Sequence, residues 1–159
     1  MYQPNPAFIN NLRFNENGLI PAIAQDWLDG SILMMAWMNR ASLEQTVSTK
    51  EVHYWSRSRQ EMWHKGATSG HFQIIKDIRY DCDADVILLI IEQTGSTACH
   101  TGARSCFFHE TVHEDSNKSQ SGFIHKQPYS DACSELFRKI QERDSNPQPE
   151  SYTNKLLEG

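Results

Sequence analysis

The 159-residue chain has no excess of basic residues and no long hydrophobic run, and we expect no secretory signal peptide from its first residues. Its 15 lysines and arginines against 20 aspartates and glutamates give a formal charge of -5, so the charge gives no reason to expect a nucleic acid or an anionic membrane as partner. Residues 1–6 lack a basic segment before an apolar stretch, and the aliphatic run 86–91 is far too short to span a bilayer. We therefore predict a cytoplasmic protein without a membrane partner.

The chain contains four cysteines and a low share of hydrophobic residues. Without a secretory route, the four cysteines are more naturally metal ligands or thiols than disulfides. A hydrophobic share of 38% is low for a wholly compact fold, and residues 114–121 contain no apolar side chain. The length suits one domain with an appendage. We predict a domain over residues 1–113, a linker over 114–130 and a helical segment within 131–159.

The hydrophobic pattern predicts strands at 19–26, 32–38, 52–56, 71–79 and 86–92, the last buried on both faces. Asn39 is placed to cap a helix over 41–48. A polar turn and a flexible glycine-containing stretch, 66–70, follow the third strand, and residues 106–109 could close the sheet. These elements predict an α+β fold: a β-rich domain with one short helix, followed by a helical C-terminal tail.

Three carboxylates, Asp81, Asp83 and Asp85, alternate with Cys82 and Ala84. In an extended strand the carboxylates would line one face and Cys82 the other. Like charges repel unless a cation neutralises them, and carboxylates at this spacing suit a hard ion such as Mg²⁺. The alternative is a solvated turn, where aspartate is common. An EF-hand loop is excluded because its glycine and terminal glutamate are absent.

Cys82, Cys99 and Cys106 are not paired as in a zinc finger, which groups its ligands as C-x₂₋₄-C. Three thiolates would leave a tetrahedral zinc ion one open position for water, as a catalytic site needs. The alternative is that they are small buried core residues. The spacing alone leaves both open, and Cys133 in the tail is predicted to have no part in the site.

The span 53–70 combines arginine, lysine, hydroxyl and glycine residues, which is what a phosphate site requires. Its tryptophans could stack on a nucleobase, and Arg104 could extend the positive patch. The candidate substrate contacts are Trp55, Arg57, Arg59, Trp63, Lys65, Thr68 and Arg104. An exposed basic hairpin with core tryptophans fits the same residues equally well. His64 and His100 lie nearest these elements, and either could be a general base.

Residues 34–39, 53–70, 81–85 and 98–108 together closely resemble phosphoribosyl-AMP cyclohydrolase, an enzyme of histidine biosynthesis. The resemblance covers approximately residues 10–110. It implies hydrolytic opening of the adenine ring of 1-(5-phosphoribosyl)-AMP, giving the formimino carboxamide ribotide. It also implies Mg²⁺ on Asp81, Asp83 and Asp85, and zinc on Cys82, Cys99 and Cys106 in a site shared between the subunits of a homodimer.

The implied chemistry agrees with the residue types. Ribose on ring nitrogen 1 makes the adenine cation-like and its carbon 6 electrophilic, while zinc lowers the pKa of bound water towards about 7. We expect His64 or His100 to transfer protons, and Arg57, Arg59 and Lys65 to bind the substrate phosphates.

The tail carries a weaker resemblance. Residues 136–140, Arg143 and residues 149–157 are similar to the opening of phosphoribosyl-ATP pyrophosphohydrolase, an all-α domain fused behind the cyclohydrolase in bifunctional enzymes. The acidic metal-binding helices of that family would come later, so we expect no pyrophosphohydrolase activity from these residues.

Two rival functions remain at this point. One is a non-catalytic nucleotide-binding module stabilised by zinc, which would lose its fold without zinc but never turn over substrate. The other is a zinc nucleobase deaminase, which requires an H-x-E element and a P-C-x-x-C element. Neither element occurs in this chain, so the deaminase is the weaker rival.

Overall fold

The computed structural model describes residues 6–109 and 132–145. The chain divides into two compact units, Met1–Gln127 and Pro128–Gly159. Residues 114–130, predicted to be a linker, lie outside the described residues, so that prediction is untested.

Residues 6–109 of the first unit form six strands in one sheet, with a 3₁₀ helix (Pro6–Asn11) before the first strand and α1 (Arg40–Thr49) after the second. The strands are β1 (Leu19–Asp26), β2 (Ile32–Asn39), β3 (His53–Ser56), β4 (Glu61–His64), β5 (Gln73–Tyr80) and β6 (Ile87–Gln93). The predicted bounds of β1 agree residue for residue, and those of β2, β3, β5 and β6 differ by one or two residues. The prediction of a β-rich domain is confirmed.

The strand order is β4-β3-β2-β1-β6-β5. Strands β1 and β6 run parallel, whereas all other neighbours are antiparallel. Because β1 and β6 point the same way, the β1–β2 turn and the segment after β6 emerge at one edge of the sheet. The β5–β6 loop lies at the opposite edge, where β6 begins.

Asn39 caps helix α1, as predicted, and the cap is a capping box with Ser42. The Asn39 side chain accepts a hydrogen bond from the Ser42 N–H at 2.8 Å, and the Ser42 hydroxyl accepts one from the Asn39 N–H at 3.0 Å. The helix ends at Thr49 and is capped by Lys50, which is left-handed and donates its N–H to the Thr46 carbonyl oxygen. Leu43 of α1 is fully buried in the core.

One face of the sheet carries the core, and the other is open. Ile9 of the 3₁₀ helix and Leu43 of α1 pack with the buried side chains of the core face, among them Ile20, Ala22, Tyr54, Ile87, Leu89 and Ile91. Cross-strand register on the opposite face places Ile23 beside Met35 and Leu88, Trp37 beside Trp55, and Trp55 beside Met62. We call these six residues the open face; Met35 is 43% exposed and Met62 39% exposed.

Three local predictions are wrong. Residues 81–85 form a turn rather than a strand: Ala84 is left-handed at φ 63°, and the chain reverses here to pair β5 with β6. Strand β6 is buried on one face only, since Leu88 and Ile90 lie on the less covered side of the sheet. Residues 106–109 form no strand. Strand β4 was missed because its charged and sulfur-containing sequence resembles a polar turn.

In the second unit the structure describes one helix, α2 (Ala132–Ser145), on which Leu136 and Phe137 are exposed. The assignment of residues 131–159 to the start of a pyrophosphohydrolase domain stays a prediction. Among the helices described here, none is both long and apolar enough to cross a membrane. The predicted cytoplasmic location is untested.

Candidate active site

A cavity of about 490 Å³ lies between β4, the glycine-containing stretch after it, the middle of β2 and the segment that follows β6. Its apolar wall comes from Met34, Met35, Ala36 and Trp63. The polar and ionisable side chains that line it are those of Lys65, Thr68, Ser69, His71, His100, Cys99 and Cys106. Apolar walls with a few convergent polar groups are typical of small-molecule sites of this volume.

Two thiols meet in this cavity. Cys99 is buried and Cys106 half-buried. The Thr101 hydroxyl donates a hydrogen bond to the Cys99 sulfur at 3.1 Å, and the His100 Nδ1 lies 4.0 Å from the same sulfur. Burial opposes ionisation of Cys99, but hydrogen bonds from Thr101 and Cys106 outweigh it and hold the pKa of Cys99 below its ordinary value. Burial, followed by the charge of Cys99, raises the pKa of Cys106 to about 11.

The segment that carries these thiols has no regular secondary structure, but hydrogen bonds hold it to itself and to β2. The Cys99 N–H donates to Ala103 O at 3.0 Å, and the Cys106 N–H donates to Leu33 O at 2.7 Å. The Ser105 hydroxyl also donates to Ile32 O, at 2.8 Å. The thiol segment is therefore fixed to the first residues of β2.

Lys65 lines the cavity and is 6% exposed. Burial lowers the pKa of its ammonium group, while negative charge on Cys106 and Cys99 acts in the opposite direction. Its Nζ lies 6.0 Å from the centre of the Trp63 ring. The cavity thus contains a buried cation beside two ionisable sulfurs.

The three aspartates form a second cluster at the far end of β6. Within the described ranges, Asp81, Asp83 and Asp85 are the one group of three metal-ligating residues whose ligand atoms all lie within 4.8 Å of one another. The charge of Asp83 and desolvation raise the pKa of Asp85. Desolvation favours the protonated form of Asp81, but hydrogen bonds from the N–H groups of Val86 and Asp85 outweigh it and lower the pKa of that carboxyl. The turn, not a strand, brings these carboxylates together.

Comparison with known proteins assigns the chain to a family. The family model described as phosphoribosyl-AMP cyclohydrolase matches residues 34–108, which include the cavity wall, the thiol pair and the aspartates. A relative from Prochlorococcus marinus (strain MIT 9313), named "Histidine biosynthesis bifunctional protein HisIE", is 66% identical over 155 residues, covering 98% of this chain and 68% of the relative. The chain belongs to the phosphoribosyl-AMP cyclohydrolase family.

Two more relatives carry the same name. The one from Parasynechococcus marenigrum (strain WH8102) is 64% identical, over 98% of this chain and 68% of its own length. The one from Synechocystis sp. (strain ATCC 27184 / PCC 6803 / Kazusa) is 56% identical, over 98% of this chain and 67% of its own length. The predicted enzyme class, a phosphoribosyl-AMP cyclohydrolase of histidine biosynthesis, is confirmed.

The structure of this cyclohydrolase gathers part of the predicted site. The residues that line the cavity are Trp63, Lys65, Thr68, Cys99, His100 and Cys106. The residues that do not are Trp55, Arg57, Arg59, His64, Asp81, Cys82, Asp83, Asp85 and Arg104. Cys82 lies exposed on the β5–β6 turn and forms no three-ligand cluster with the other two cysteines within the described chain.

The predicted phosphate-binding arginines of the cyclohydrolase lie near the β3–β4 turn and are exposed. The Arg57 guanidinium lies 5.0 Å from the Trp37 ring centre, above the open face. The Arg59 Nε lies 3.2 Å from Glu61 Oε1. Arg104 is instead part of a buried ion cluster near the thiol segment. Their predicted contacts with substrate are untested.

His64 lies beside the cavity wall but belongs to a different cluster. Its Nε2 lies 2.7 Å from Glu51 Oε2, and its ring stacks on His53 with centroids 4.2 Å apart. Burial lowers the pKa of His53, and the nearby His64 lowers it further, although a hydrogen bond to the Glu51 carbonyl opposes both. Of the two histidines predicted for proton transfer, His100 alone lines the cavity of the cyclohydrolase.

Sequence reasoning missed His71, which also lines the cavity. Its Nδ1 lies 3.0 Å from the Thr97 carbonyl oxygen, and the Thr97 hydroxyl contacts the same nitrogen, so this residue fixes the orientation of the ring. A Cβ at Gly95 would lie 3.1 Å from this ring, so glycine there leaves the ring its space. The signal available in the sequence was its position directly after the glycine-containing stretch 66–70.

Proposed function

We propose that this cyclohydrolase is zinc-dependent and opens the adenine ring of 1-(5-phosphoribosyl)-AMP by hydrolysis in the cavity, giving the formimino carboxamide ribotide. The observation that carries the proposal is the adjacent pair of thiols, Cys99 and Cys106, in a cavity of about 490 Å³. That volume accommodates a nucleobase, and its wall of methionines and Trp63 suits an aromatic ring.

The donor set fits zinc. Thiolates are preferred zinc ligands, and hydrogen bonds already favour the thiolate form of Cys99. Cys106 would ionise on metal binding, since a bound cation offsets the charge of Cys99. Bound zinc would supply Lewis-acid activation of the attacking water near neutral pH. Cys82 of the partner subunit would be the third ligand.

A homodimer supplies that third ligand, and the open face supports it. Half-exposed methionine and tryptophan side chains on one sheet face are typical of surfaces that bury themselves against a partner. We propose that the second copy of this chain covers the open face. In such a dimer Arg57, whose guanidinium lies over the Trp37 ring, would lie at the boundary between the subunits.

The reaction moves both protons of water to nitrogen. Water adds its oxygen to carbon 6, and one of its protons passes from the new oxygen to the exocyclic imino nitrogen, which becomes the amide NH₂. The bond from carbon 6 to ring nitrogen 1 breaks, and that ring nitrogen keeps the electron pair and gains the other water proton. We propose that His100 takes the water proton and returns it to the nitrogen, because it lines the cavity next to Cys99. Trp63 would pack on the purine, and Lys65 and Thr68 would bind the phosphate nearest the cavity.

We also propose that Asp81, Asp83 and Asp85 bind Mg²⁺. Oxygen donors suit this ion, and the mutual repulsion of the carboxylates, seen in the raised pKa of Asp85, is what a cation would relieve. The cluster lies at the opposite end of β6 from the thiols, so we treat the two metal sites as separate within one chain.

Metal removal tests the two sites together. Chelation of the purified protein is expected to remove zinc and abolish turnover, and added zinc should restore it. Asp83→Asn is expected to lose Mg²⁺ while keeping its zinc, as measured by elemental analysis, because only oxygen ligands are changed. Full turnover by a zinc-free sample would contradict the proposal, and a zinc-bound protein that never turns over substrate would support the binding-module rival instead.

Alanine substitution distinguishes the two histidines. His100→Ala is expected to lower kcat by about 10²–10⁴-fold, the usual contribution of general acid–base catalysis, with the zinc content unchanged. His64→Ala is expected to keep turnover within about tenfold, because that ring faces Glu51 and His53 rather than the cavity. Near-normal turnover of both variants would show that neither histidine is the base.

A further inference from the structure

We infer that Arg104 is a positioning residue that sets the spacing of Cys99 and Cys106, rather than a residue that touches substrate. This inference rests on the proposed metal-binding role of the two thiols. It concerns how the chain holds its sulfurs in place, and it begins from the edge of the sheet where β1 and β6 both end.

The parallel pairing of β1 and β6 brings two loops together at that edge. One is the turn between β1 and β2, which contains Asp29, and the other is the thiol segment after β6. The guanidinium of Arg104 connects them. Its Nη2 lies 2.7 Å from Asp29 Oδ2 and 3.2 Å from Asp26 Oδ2.

This ion cluster is almost completely removed from water. The exposed fractions are 11% for the Arg104 side chain, 4% for Asp26 and 0% for Asp29. Buried charges need good geometry and further hydrogen bonds to offset the loss of hydration. An arginine that binds a substrate phosphate would be accessible to substrate, whereas Arg104 is enclosed by two carboxylates.

The two carboxylates are themselves fixed by the turn. Asp26 Oδ1 accepts the Leu28 N–H at 2.9 Å, and Asp29 Oδ1 accepts the Ser31 N–H at 2.9 Å. Each aspartate therefore uses one oxygen to order the β1–β2 turn and presents the other to the guanidinium. Arg104 is held against a rigid anchor.

Because Arg104 is fixed in this way, its backbone also restrains the positions of both thiols. Its carbonyl oxygen accepts the Ala98 N–H at 3.2 Å, directly before Cys99, and two residues later Cys106 bonds to Leu33. A fixed Arg104 thus holds the two ends of the thiol segment in register. Removal of the guanidinium would leave two carboxylates buried without their cation and release this segment.

The test compares Arg104→Gln with the matched control Arg40→Gln. The Arg40 side chain is 48% exposed, and its Nη1 lies 3.8 Å from Glu44 Oε1. Zinc affinity is measured by competition with a chromophoric chelator. Arg104→Gln is expected to weaken zinc binding by about 10–100-fold, the usual effect of losing a residue that orients metal ligands, and Arg40→Gln should leave it unchanged.

A second probe tests the spacing of the two thiols without zinc. Phenylarsine oxide bridges two suitably placed thiols, so in a Cys82→Ser/Cys133→Ser background it reports on Cys99 and Cys106 alone. Arg104→Gln is expected to weaken the binding of phenylarsine oxide as well. If the unaltered chain binds no zinc, the proposed function fails, while the arsenical comparison still decides the role of Arg104.

A neutral variant, Asp26→Asn/Asp29→Asn/Arg104→Gln, separates positioning from general stability. It leaves no unpaired buried charge, so its Tm is expected to recover towards that of the unaltered chain while zinc and arsenical binding stay weak. This variant also decides the question if Arg104→Gln fails to fold. Recovery of both binding and Tm, or an Arg104→Gln affinity within about threefold of normal, would overturn the inference.

Discussion

Mixing two inactive variants, Cys82→Ser and Cys99→Ser, is expected to restore about a quarter of normal activity once the subunits have exchanged. Each variant alone should lack zinc and turnover, since each site loses one thiolate ligand. In a mixed dimer, one of the two sites combines the intact Cys82 of one subunit with the intact thiol pair of the other. Half of the dimers are mixed and half of their sites are complete.

The geometry of β6 is the reason to expect that Cys82 comes from the other subunit. Cys82 precedes this strand and Cys99 follows it, and Ile87–Gln93 is a seven-residue strand. At about 3.3 Å per residue such a strand extends roughly 20 Å, so Cys82 of the same chain is at the wrong end of the sheet for the cavity. A second copy, covering the open face, can bring its own β5–β6 turn there.

The matched control is the mixture of Cys99→Ser with Cys106→Ser. Both substitutions damage the same half of the site, so no complete site forms in any dimer and no activity should return. Turnover and zinc content are measured before and after exchange. Restored activity in this control, or none in the Cys82→Ser mixture, would contradict a shared site with these ligands.

Local structure was predictable from the sequence wherever short-range chemistry decides it. The bounds of β1 follow from its apolar run, and the Asn39 cap follows from a side chain that can satisfy free N–H groups at a helix start. Strand β4 was not predictable from its own residues, because its pairing with β3 is decided by the hairpin and by the partial burial of Trp63.

In the candidate site, too, local patterns were predictable from the sequence, whereas contacts between distant residues were not. Residue type and spacing predicted the cysteines and aspartates as metal ligands, and the resemblance implied which metals, but strand alternation gave the wrong geometry for residues 81–85. Asp81 uses its carboxylate to close a turn on Asp85 and Val86, and a left-handed Ala84 reverses the chain. The cluster of carboxylates arises from that reversal. Similarly, the partners of Arg104 lie 75 and 78 positions earlier in the chain, beyond any local pattern.

Gly66→Ala is expected to be the most destabilising glycine-to-alanine substitution among the glycines that the structure describes. Gly66 has φ 97°, and an added Cβ would lie 2.6 Å from both the Cα and the N of Phe72. The left-handed conformation costs alanine about 1–2 kcal/mol. Forcing a methyl group into filled space adds about 1–3 kcal/mol, so we expect a total loss of about 2–5 kcal/mol in the free energy of unfolding.

The neighbouring backbone cannot move aside cheaply. The Phe72 N–H donates to the Thr94 hydroxyl at 2.7 Å, and the Thr94 N–H donates back to the Phe72 carbonyl at 2.9 Å. Any shift that accommodates the methyl group would break this link. It would also move His71, which lines the cavity. We therefore expect Gly66→Ala to lose turnover together with stability.

Gly70→Ala is the matched control, because Gly70 is also left-handed, at φ 76°, but has no atom within 4 Å of an added Cβ. It should incur the conformational cost alone, about 1–2 kcal/mol, and keep an intact cavity. Chemical denaturation of both variants measures the difference. Equal losses of stability in the two variants would show that Phe72 moves aside for the methyl group, and that the close approach of Gly66 to Phe72 does not hold the cavity wall in place.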